Sequence, residues 1–321
     1  MKDDAVAPVI AAMLVLAIIV TVFSVWNAVA LPSMKAESEI NHLHEVEHSF
    51  MQFSADLSNA ALMKQEVVFT ETVPLGGGGV IFNSLTSSGT IRVDAEPLPL
   101  FNLTIVNDSV EYPQESRLVK FSYRPEGNYW QDQGYVWHYG YVNVTKGYSK
   151  NTADNAGMAT PLSYAGMNAV NKAVSIKKFA GSLVDLDASP WFNSSKNCSE
   201  ITISAVTFSP SQDEQFASGN GIGTFGVSTS INETVFGNQE HTAPDLLMIR
   251  VNKSLPDPFA VDLYNKCNQT LYNLNQSYPY NVWHYADNSS PLYREVGIGH
   301  INGRLPFTIT RKTVQVNVSA Y

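Results

Sequence analysis

The feature that most constrains this chain is an apolar run near its N-terminus. Residues Ala5 to Leu31 contain no Asp, Glu, Lys, Arg or His. A bilayer core requires about 20 consecutive apolar residues, so the run is long enough to span one. A helix buried in a globular domain normally keeps a polar face, and this run has none. The sequence therefore predicts one transmembrane helix over residues 5–31.

Three ways of processing this N-terminus remain open. Ala28-Val29-Ala30 has the form of a signal-peptidase site, although the apolar run is longer than the usual h-region. An uncleaved signal anchor would keep Met1. In the third arrangement, residues 1–4 form a short polar leader that is cleaved between Asp4 and Ala5. The helix then stays on the mature protein.

The rest of the chain is large enough to form a domain with its own core. The protein has 321 residues, a formal net charge of −9 and only 15% charged residues. An acidic chain without a dense Lys/Arg patch is not expected to bind nucleic acid. The sequence also lacks a P-loop, a G-x-S-x-G elbow and a C-x-x-C pair. We therefore expect no cofactor and no enzymatic activity.

An amphipathic stalk helix is predicted over residues 32–63. Pro32 is expected to interrupt the first helix, with Ser33 as the N-cap of the second. Apolar residues then recur every three or four positions, at Ile40, Leu43, Val46, Phe50, Phe53, Leu57 and Ala61. We expect the distal half of this helix to pack on the following domain. The proximal half has two possible partners, that domain or neighbouring subunits.

Residues 64–321 are predicted to form a β-rich domain. Strand patterns occur at Glu66-Thr72, Val80-Leu85, Thr90-Ala95, Leu118-Tyr123, Tyr135-Val144, Ile201-Phe208, Leu246-Val251, Phe307-Thr310 and Thr313-Ala320. One helix is predicted from Pro258, because apolar residues follow it every four positions. A polar segment at 146–157 is a possible subdomain boundary. The expected fold class is α+β, with a long membrane and stalk helix followed by a sandwich-like domain.

Eleven N-x-[ST] sequons lie after the apolar run and none precedes it. They begin at Asn102, Asn107, Asn143, Asn193, Asn197, Asn232, Asn252, Asn268, Asn275, Asn288 and Asn317. Such sequons mark surface positions of secreted proteins, and attached sugars would solubilise a surface that is poor in charge. They predict a single-pass membrane protein with a cytoplasmic N-terminus and an extracellular, glycosylated C-terminal domain.

The two cysteines, Cys198 and Cys267, allow two interpretations. In an oxidising exterior they would form one disulfide that closes a long loop. Alternatively, they are two separate buried thiols.

One motif on the stalk has the form of a metal site. His44-Glu45-Val46-Glu47-His48 satisfies H-E-x-x-H, which on a helix places two histidines one turn apart to bind Zn²⁺. The extended zincin pattern fails, since Met51 and Ser54 occupy the glycine and third-histidine positions. Glu66 or Glu71 would serve as third ligand only if the chain folded back onto this helix. The ordinary alternative is a pair of solvated histidines, and we predict no metal.

A tetrapeptide occurs twice, as Val136-Trp137-His138-Tyr139 and Val282-Trp283-His284-Tyr285. In a strand, Trp and Tyr share one face and His takes the other. The favoured interpretation is two aromatic core strands. The alternative is a repeated aromatic site that binds sugars.

The N-terminus resembles that of archaeal type IV pilin-like proteins. The resemblance rests on the stretch DAVAPVI from Asp4 to Ile10, followed at once by an apolar helix. It implies cleavage between Asp4 and Ala5 by a prepilin peptidase, and association of the helix with identical or related pilin subunits. Bacterial pilins carry a Glu five residues into the mature chain, and here that position is Val9. The resemblance covers about the first 60 residues.

These observations predict a membrane-anchored, pilin-like surface glycoprotein with a structural or adhesive role, such as a minor pilin or filament subunit. Its expected partners are the lipid bilayer, pilin subunits and the prepilin peptidase. Two alternatives remain: an anchored cell-envelope protein that does not polymerise, and an anchored zinc metallopeptidase that uses His44, Glu45 and His48.

Overall fold

A computed structural model describes residues 6–77, 79, 86–126, 133–146, 159–161, 169–188, 200–237, 243–277, 282–300, 303–305 and 307–321. One long N-terminal helix is followed by a β-rich domain with two sheets. This confirms the predicted α+β class. The predicted strand at 80–85, and the predicted boundary segment beyond Lys146, lie outside the described residues.

The N-terminal helix is continuous, contrary to the predicted interruption at Pro32. Helix α1, Val6–Val25, leads through a π-helical turn, Trp26–Ala30, into α2, Leu31–Met63. The backbone N–H of Leu31 donates to the carbonyl of Trp26, five residues back. The wider π turn accommodates the proline ring, which in a regular α-helix clashes with the carbonyl four residues earlier. At 1.5 Å per residue, the 56 residues from Pro8 to Met63 form a rod roughly 84 Å long.

Helix α2 ends where predicted and buries the predicted stripe. Val46, Phe50, Phe53 and Leu57 are fully buried. Lys64 then adopts a left-handed conformation with φ 51°, and its N–H donates to the carbonyl of Ala60. The Lys64 side chain lies 3.1 Å from the Asp185 carboxylate. The distal half of the stalk helix therefore belongs to the core of the domain.

The larger sheet has ten strands and packs on α2. Its members are β1 Val68–Pro74, β2 Ser88–Ala95, β5 Val119–Glu126, β6 Gln133–His138, β7 Tyr141–Lys146, β8 Ala159–Pro161, β9 Val184–Ala188, β10 Glu200–Gly219, β11 Ile222–Phe236 and β15 Thr308–Ala320. The order is β1-β11-β15-β10-β2-β5-β6-β7-β8, and β9 pairs with β10. Strands β10 and β15 are parallel, whereas the other pairs are antiparallel.

The smaller sheet has five strands and packs on a helix of its own. Its order is β13 Val282–Asp287, β14 Tyr293–His300, β12 Leu246–Asn252, β3 Phe101–Asn107 and β4 Val110–Ser116. Helix α4, Asp257–Ser277, contacts β12, β13 and β14 and confirms the helix predicted from Pro258. Helix α3, Ala169–Leu183, was not predicted and lies between α4 and α2. The two sheets and helices α2, α3 and α4 contribute side chains to one core cluster.

One predicted strand, Tyr135-Val144, is two strands joined by a tight turn. Strand β6 ends at His138 and β7 starts at Tyr141. Tyr139 and Gly140 both have positive φ, at 53° and 83°. Two consecutive positive φ values are typical of the two-residue turns that fit the twist of a β-hairpin. A Cβ at Gly140 would lie against the ring of Phe179 on α3, so only glycine fits there.

Candidate functional sites: anchor helix, stalk and aromatic surface

Helix α1 is long and apolar enough to cross a membrane, and none of its described side chains is buried by the protein. The few polar side chains of α1 and the following π turn bond to their own helix. The side chains of Thr21, Ser24 and Asn27 donate to the carbonyls four residues earlier, at 2.7, 2.7 and 2.9 Å. Such bonds satisfy polar groups where no water is present. The helix is therefore suited to a lipid environment.

A line of buried polar side chains runs along the first half of α2. Lys35, Glu39 and His42 are all nearly inaccessible to solvent. His42 Nε2 lies 3.0 Å from the Tyr123 hydroxyl on β5. Sequence periodicity missed this contact, because polar residues at those positions look like a solvated face. The proximal half of the stalk therefore also packs on the domain.

Burial lowers the pKa of His42 below 6.5, although Glu45 opposes the shift. Protonation therefore favours the unfolded chain. Above pH 6.5 the contribution of neutral His42 to the free energy of unfolding is fully present. It is lost as the pH falls from 6.5 toward the lower pKa that His42 has in the folded protein. We expect the unfolding temperature to drop between pH 7 and pH 5, and the drop to be smaller in His42→Gln. Thermal unfolding at several pH values measures this.

The matched control for His42 is His44→Gln, because the His44 side chain is 72% exposed. This variant is expected to keep the wild-type pH dependence. An equal pH dependence in wild type and His42→Gln would contradict the assignment.

His44, Glu45 and His48 of the H-E-x-x-H motif lie on the exposed side of α2. His44 Nδ1 is 3.5 Å from Glu47 Oε2, and His48 faces solvent. Strand β1 does fold back onto α2, as a third ligand would require. Burial and Asp56 raise the pKa of Glu71 on that strand, while His48 lowers it. Within the described part of the chain, however, no group of three or more His, Cys, Asp or Glu side chains is arranged to hold a metal ion.

The sequon asparagines differ in accessibility. Asn232 and Asn288 are exposed, whereas Asn107 and Asn143 are buried. Others are half-buried and hydrogen-bonded: Asn268 Oδ1 lies 2.9 Å from His284 Nε2, and Asn317 Oδ1 accepts from Ser209 at 2.7 Å. Asn102, Asn252 and Asn275 are also half-buried, and Asn193 and Asn197 lie outside the described residues.

We expect Asn232 and Asn288 to be occupied in the native protein and Asn107 and Asn143 to be unmodified, because a glycan on a buried side chain prevents its packing. Peptide mass spectrometry before and after deglycosylation measures occupancy at each site. A glycan at Asn107 or Asn143 in folded protein would contradict the prediction.

Cys267 is fully buried on α4 and is a free thiol in this structure. Burial raises its pKa to about 12, so the reactive thiolate is scarce at neutral pH. Cys198 lies outside the described residues, and its pairing with Cys267 stays a prediction.

The two V-W-H-Y tetrapeptides have different environments. Trp137 in β6 is fully buried and stacks on Phe121 at 4.8 Å between ring centroids, as predicted for a core strand. Tyr139 falls in the turn instead of the strand. Trp283 lies on β13 at the edge of the smaller sheet and is 41% exposed. The prediction of a second core strand was therefore wrong for Trp283.

Trp283 and Tyr285 lie over two glycines of the neighbouring strand. Trp283 pairs with Gly299 and Tyr285 with Gly297 in the β13–β14 register. A Cβ at Gly299 would lie 2.7 Å from Cζ2 of Trp283, and a Cβ at Gly297 would overlap the Tyr285 ring. The two ring centroids are 5.2 Å apart at an interplanar angle of 35°. Because glycine has no side chain, the aromatic rings can pack flat against the neighbouring strand. This arrangement is known to compensate for glycine in strands.

A polar network borders these rings. The Tyr285 hydroxyl donates to Glu295 Oε1 at 2.7 Å, and Arg250 Nε donates to Glu295 Oε2 at 2.5 Å. The Arg250 guanidinium lies 5.3 Å from the centroid of the Tyr293 ring. The signal in the sequence was V-G-I-G at 296–299, whose alternate glycines leave room on one face of the strand. It becomes informative only once the pairing of β13 with β14 is known.

Comparisons of the chain with protein-family models, with curated proteins and with solved structures give no match.

Proposed function

We propose that this chain is a membrane-anchored, pilin-like surface protein with a structural or adhesive role, whose β-rich domain lies outside the cell. The observation that carries the proposal is the single helical rod from Val6 to Met63. Its first half is apolar and exposed, and its second half buries one face against the domain. A domain built around one end of a helix, with the other end free for lipid or other helices, matches what the N-terminal resemblance implies.

The exposed half of the rod supports both proposed partners of the protein. Its side chains from Val9 to Val25 are apolar with few exceptions, and such a surface is stable only in lipid or against other apolar helices. In a bilayer it serves as the anchor. In a filament, the same surface packs on the helices of identical or related subunits. The prepilin peptidase acts on the bond between Asp4 and Ala5.

The exposed sequons at Asn232 and Asn288 support an extracellular domain. Both lie in the part of the chain that follows the apolar helix, and both side chains are exposed. An extracellular domain with a structural or adhesive role acts by contacting other molecules outside the cell. The aromatic surface around Trp283 is one place where such contact can occur.

The test is the N-terminal residue of the native mature protein, identified by peptide mass spectrometry. We expect Ala5, which requires prepilin-type processing and an anchor that stays on the protein. A start at Met1 would contradict pilin-type processing and favour an anchored envelope protein that does not polymerise. A start at Leu31 would mean that the helix is a cleaved signal, and the proposal would fail.

Filament assembly is tested by a separate experiment, the release of the protein by shearing. Shearing of intact cells is expected to release the protein in a high-molecular-mass fraction. A Val9→Lys variant, which places a charge on the exposed apolar surface, is expected to be absent from this high-molecular-mass fraction. Complete retention of the wild-type protein in the membrane fraction would contradict assembly while leaving the anchor in place.

A further inference from the structure

We propose that the surface formed by Trp283 and Tyr285 binds a neutral oligosaccharide that is not part of the protein, by stacking a pyranose ring on Trp283. This surface is called the aromatic platform below. The inference goes beyond the proposed function, because it holds whether or not the protein assembles into filaments.

The first argument is the exposure of a large, ordered apolar side chain. Trp283 is 41% exposed on an edge strand, and its indole lies against the backbone at Gly299. A ring that lies on a strand keeps one face on the sheet and turns the other to solvent. Aromatic faces carry negative charge density and attract weakly positive C–H groups. One face of a pyranose ring presents such C–H groups in a flat array.

The second argument is that the platform is held in place before any ligand arrives. The hydrogen bond from the Tyr285 hydroxyl to Glu295 fixes the second ring, and the Arg250–Glu295 ion pair fixes Glu295 in turn. A rigid platform loses little conformational entropy when a ligand binds. This is important for sugars, whose individual contacts are weak.

The third argument concerns charge. The polar border of the platform carries the Arg250–Glu295 ion pair and Asp287, which lies opposite Glu295 on the same face of β13 as the two rings. A polyanion is disfavoured by such a border, because the one cation is already paired with Glu295 and a second carboxylate lies beside it. The guanidinium has five N–H donors, and carboxylate oxygens accept. Sugar hydroxyls are both donors and acceptors and therefore match this border.

The size of the platform argues against a protein partner. Two rings with centroids 5.2 Å apart form a narrow strip, bordered by polar groups. Stable protein interfaces bury about 800 Å² on each partner around an apolar core. A strip of two rings has the dimensions of a sugar unit and its neighbour in a chain.

The experiment uses the full chain in lipid nanodiscs, because detergents with sugar headgroups would compete. The probes are soluble hexasaccharides of glucose, mannose and N-acetylglucosamine, and binding is measured by calorimetry and by tryptophan fluorescence. We expect at least one probe to bind with a millimolar or lower Kd. Trp283→Ala is expected to weaken that binding about tenfold or more, and Trp283→Phe to weaken it less.

Two further variants test the geometry. Gly299→Ala keeps the indole but displaces it from the strand, and we expect weaker binding. Tyr272→Ala is the matched control, because Tyr272 is an exposed aromatic residue on α4, next to His284 and on the opposite side of β13. It is expected to bind like wild type.

Three outcomes would overturn the proposal: no binding of any probe by the folded wild-type protein, unchanged binding in Trp283→Ala, or an equal loss in Tyr272→Ala. Trp283 covers Gly299 on an edge strand, so Trp283→Ala is expected to lower the unfolding temperature but to leave the domain folded at the assay temperature. Thermal unfolding of each variant confirms that a loss of binding is not a loss of fold. The N-terminal residue of the mature protein is independent of all these results.

Discussion

Replacement of Phe53 by Ala is expected to destabilise the domain by about 3–5 kcal/mol. Phe53 is fully buried on α2, and its ring contacts aromatic rings from three strands of the larger sheet. The ring centroids lie 4.8 Å from Phe121, 4.9 Å from Phe225 and 6.1 Å from Phe69. These strands cannot all move inward after the substitution, so a cavity remains. Urea unfolding followed by tryptophan fluorescence measures the loss.

The matched control is Phe216→Ala. Phe216 lies on β10 of the same sheet but is 67% exposed. Its removal is expected to change the free energy of unfolding by less than about 0.5 kcal/mol. Equal effects of the two substitutions would contradict the assignment of α2 to the core.

The second large effect is expected for the double substitution Leu16→Arg and Ile19→Arg in α1. An arginine at the centre of a membrane helix costs about 2.5–3.5 kcal/mol on insertion scales, so two cost roughly 5–7 kcal/mol. Both side chains are exposed on the surface that we assign to lipid. We expect a large decrease in the protein that stays in the membrane pellet after carbonate extraction.

Leu292→Arg is the control for the anchor. Leu292 is 68% exposed and precedes β14 in the domain, far along the chain from the span. Its substitution is expected to leave the pelleted fraction unchanged. If the double variant also stayed in the pellet, something other than insertion of α1 would hold the protein there.

The helical rod was the most predictable part of the fold. An uncharged run and a stripe with a spacing of three or four residues are strong signals, and both were confirmed as helix. The predicted interruption at Pro32 was wrong, because the π turn at Trp26–Ala30 accommodates the proline ring within a continuous helix. This kind of turn has no recognised sequence signature. Helix α3 was missed, although its buried residues Ile176, Phe179, Ala180 and Leu183 have helical spacing.

The strands were less predictable than the helices. Tyr135-Val144 alternates in a way that continues through the turn, and the left-handed conformations of Tyr139 and Gly140 separate β6 from β7. Gly140 was the one signal of a turn, because non-glycine residues such as Tyr139 adopt that conformation uncommonly. The long-range pairing of β10 with β15 depends on contacts between residues more than a hundred positions apart.

The aromatic platform could not be located from the tetrapeptide alone. Two identical segments differ because β6 lies inside the larger sheet, beneath α2 and α3, whereas β13 is an edge strand of the smaller one. Burial is decided by what packs on a strand, and a local pattern does not contain that information.

The position of β15 determines when the domain can fold during its synthesis. This last strand, Thr308–Ala320, lies between β10 and β11, and Val314, Val316 and Val318 on it are fully buried. The larger sheet therefore stays open along its middle until residues 308–320 have been synthesised. Chains fold from the N-terminus as they emerge at about 5–20 residues per second, so the partly made domain exposes the facing edges of β10 and β11 for that interval. Loss of residues 308–320 would therefore separate the two halves of the sheet, because β15 is the strand that joins β10 to β11.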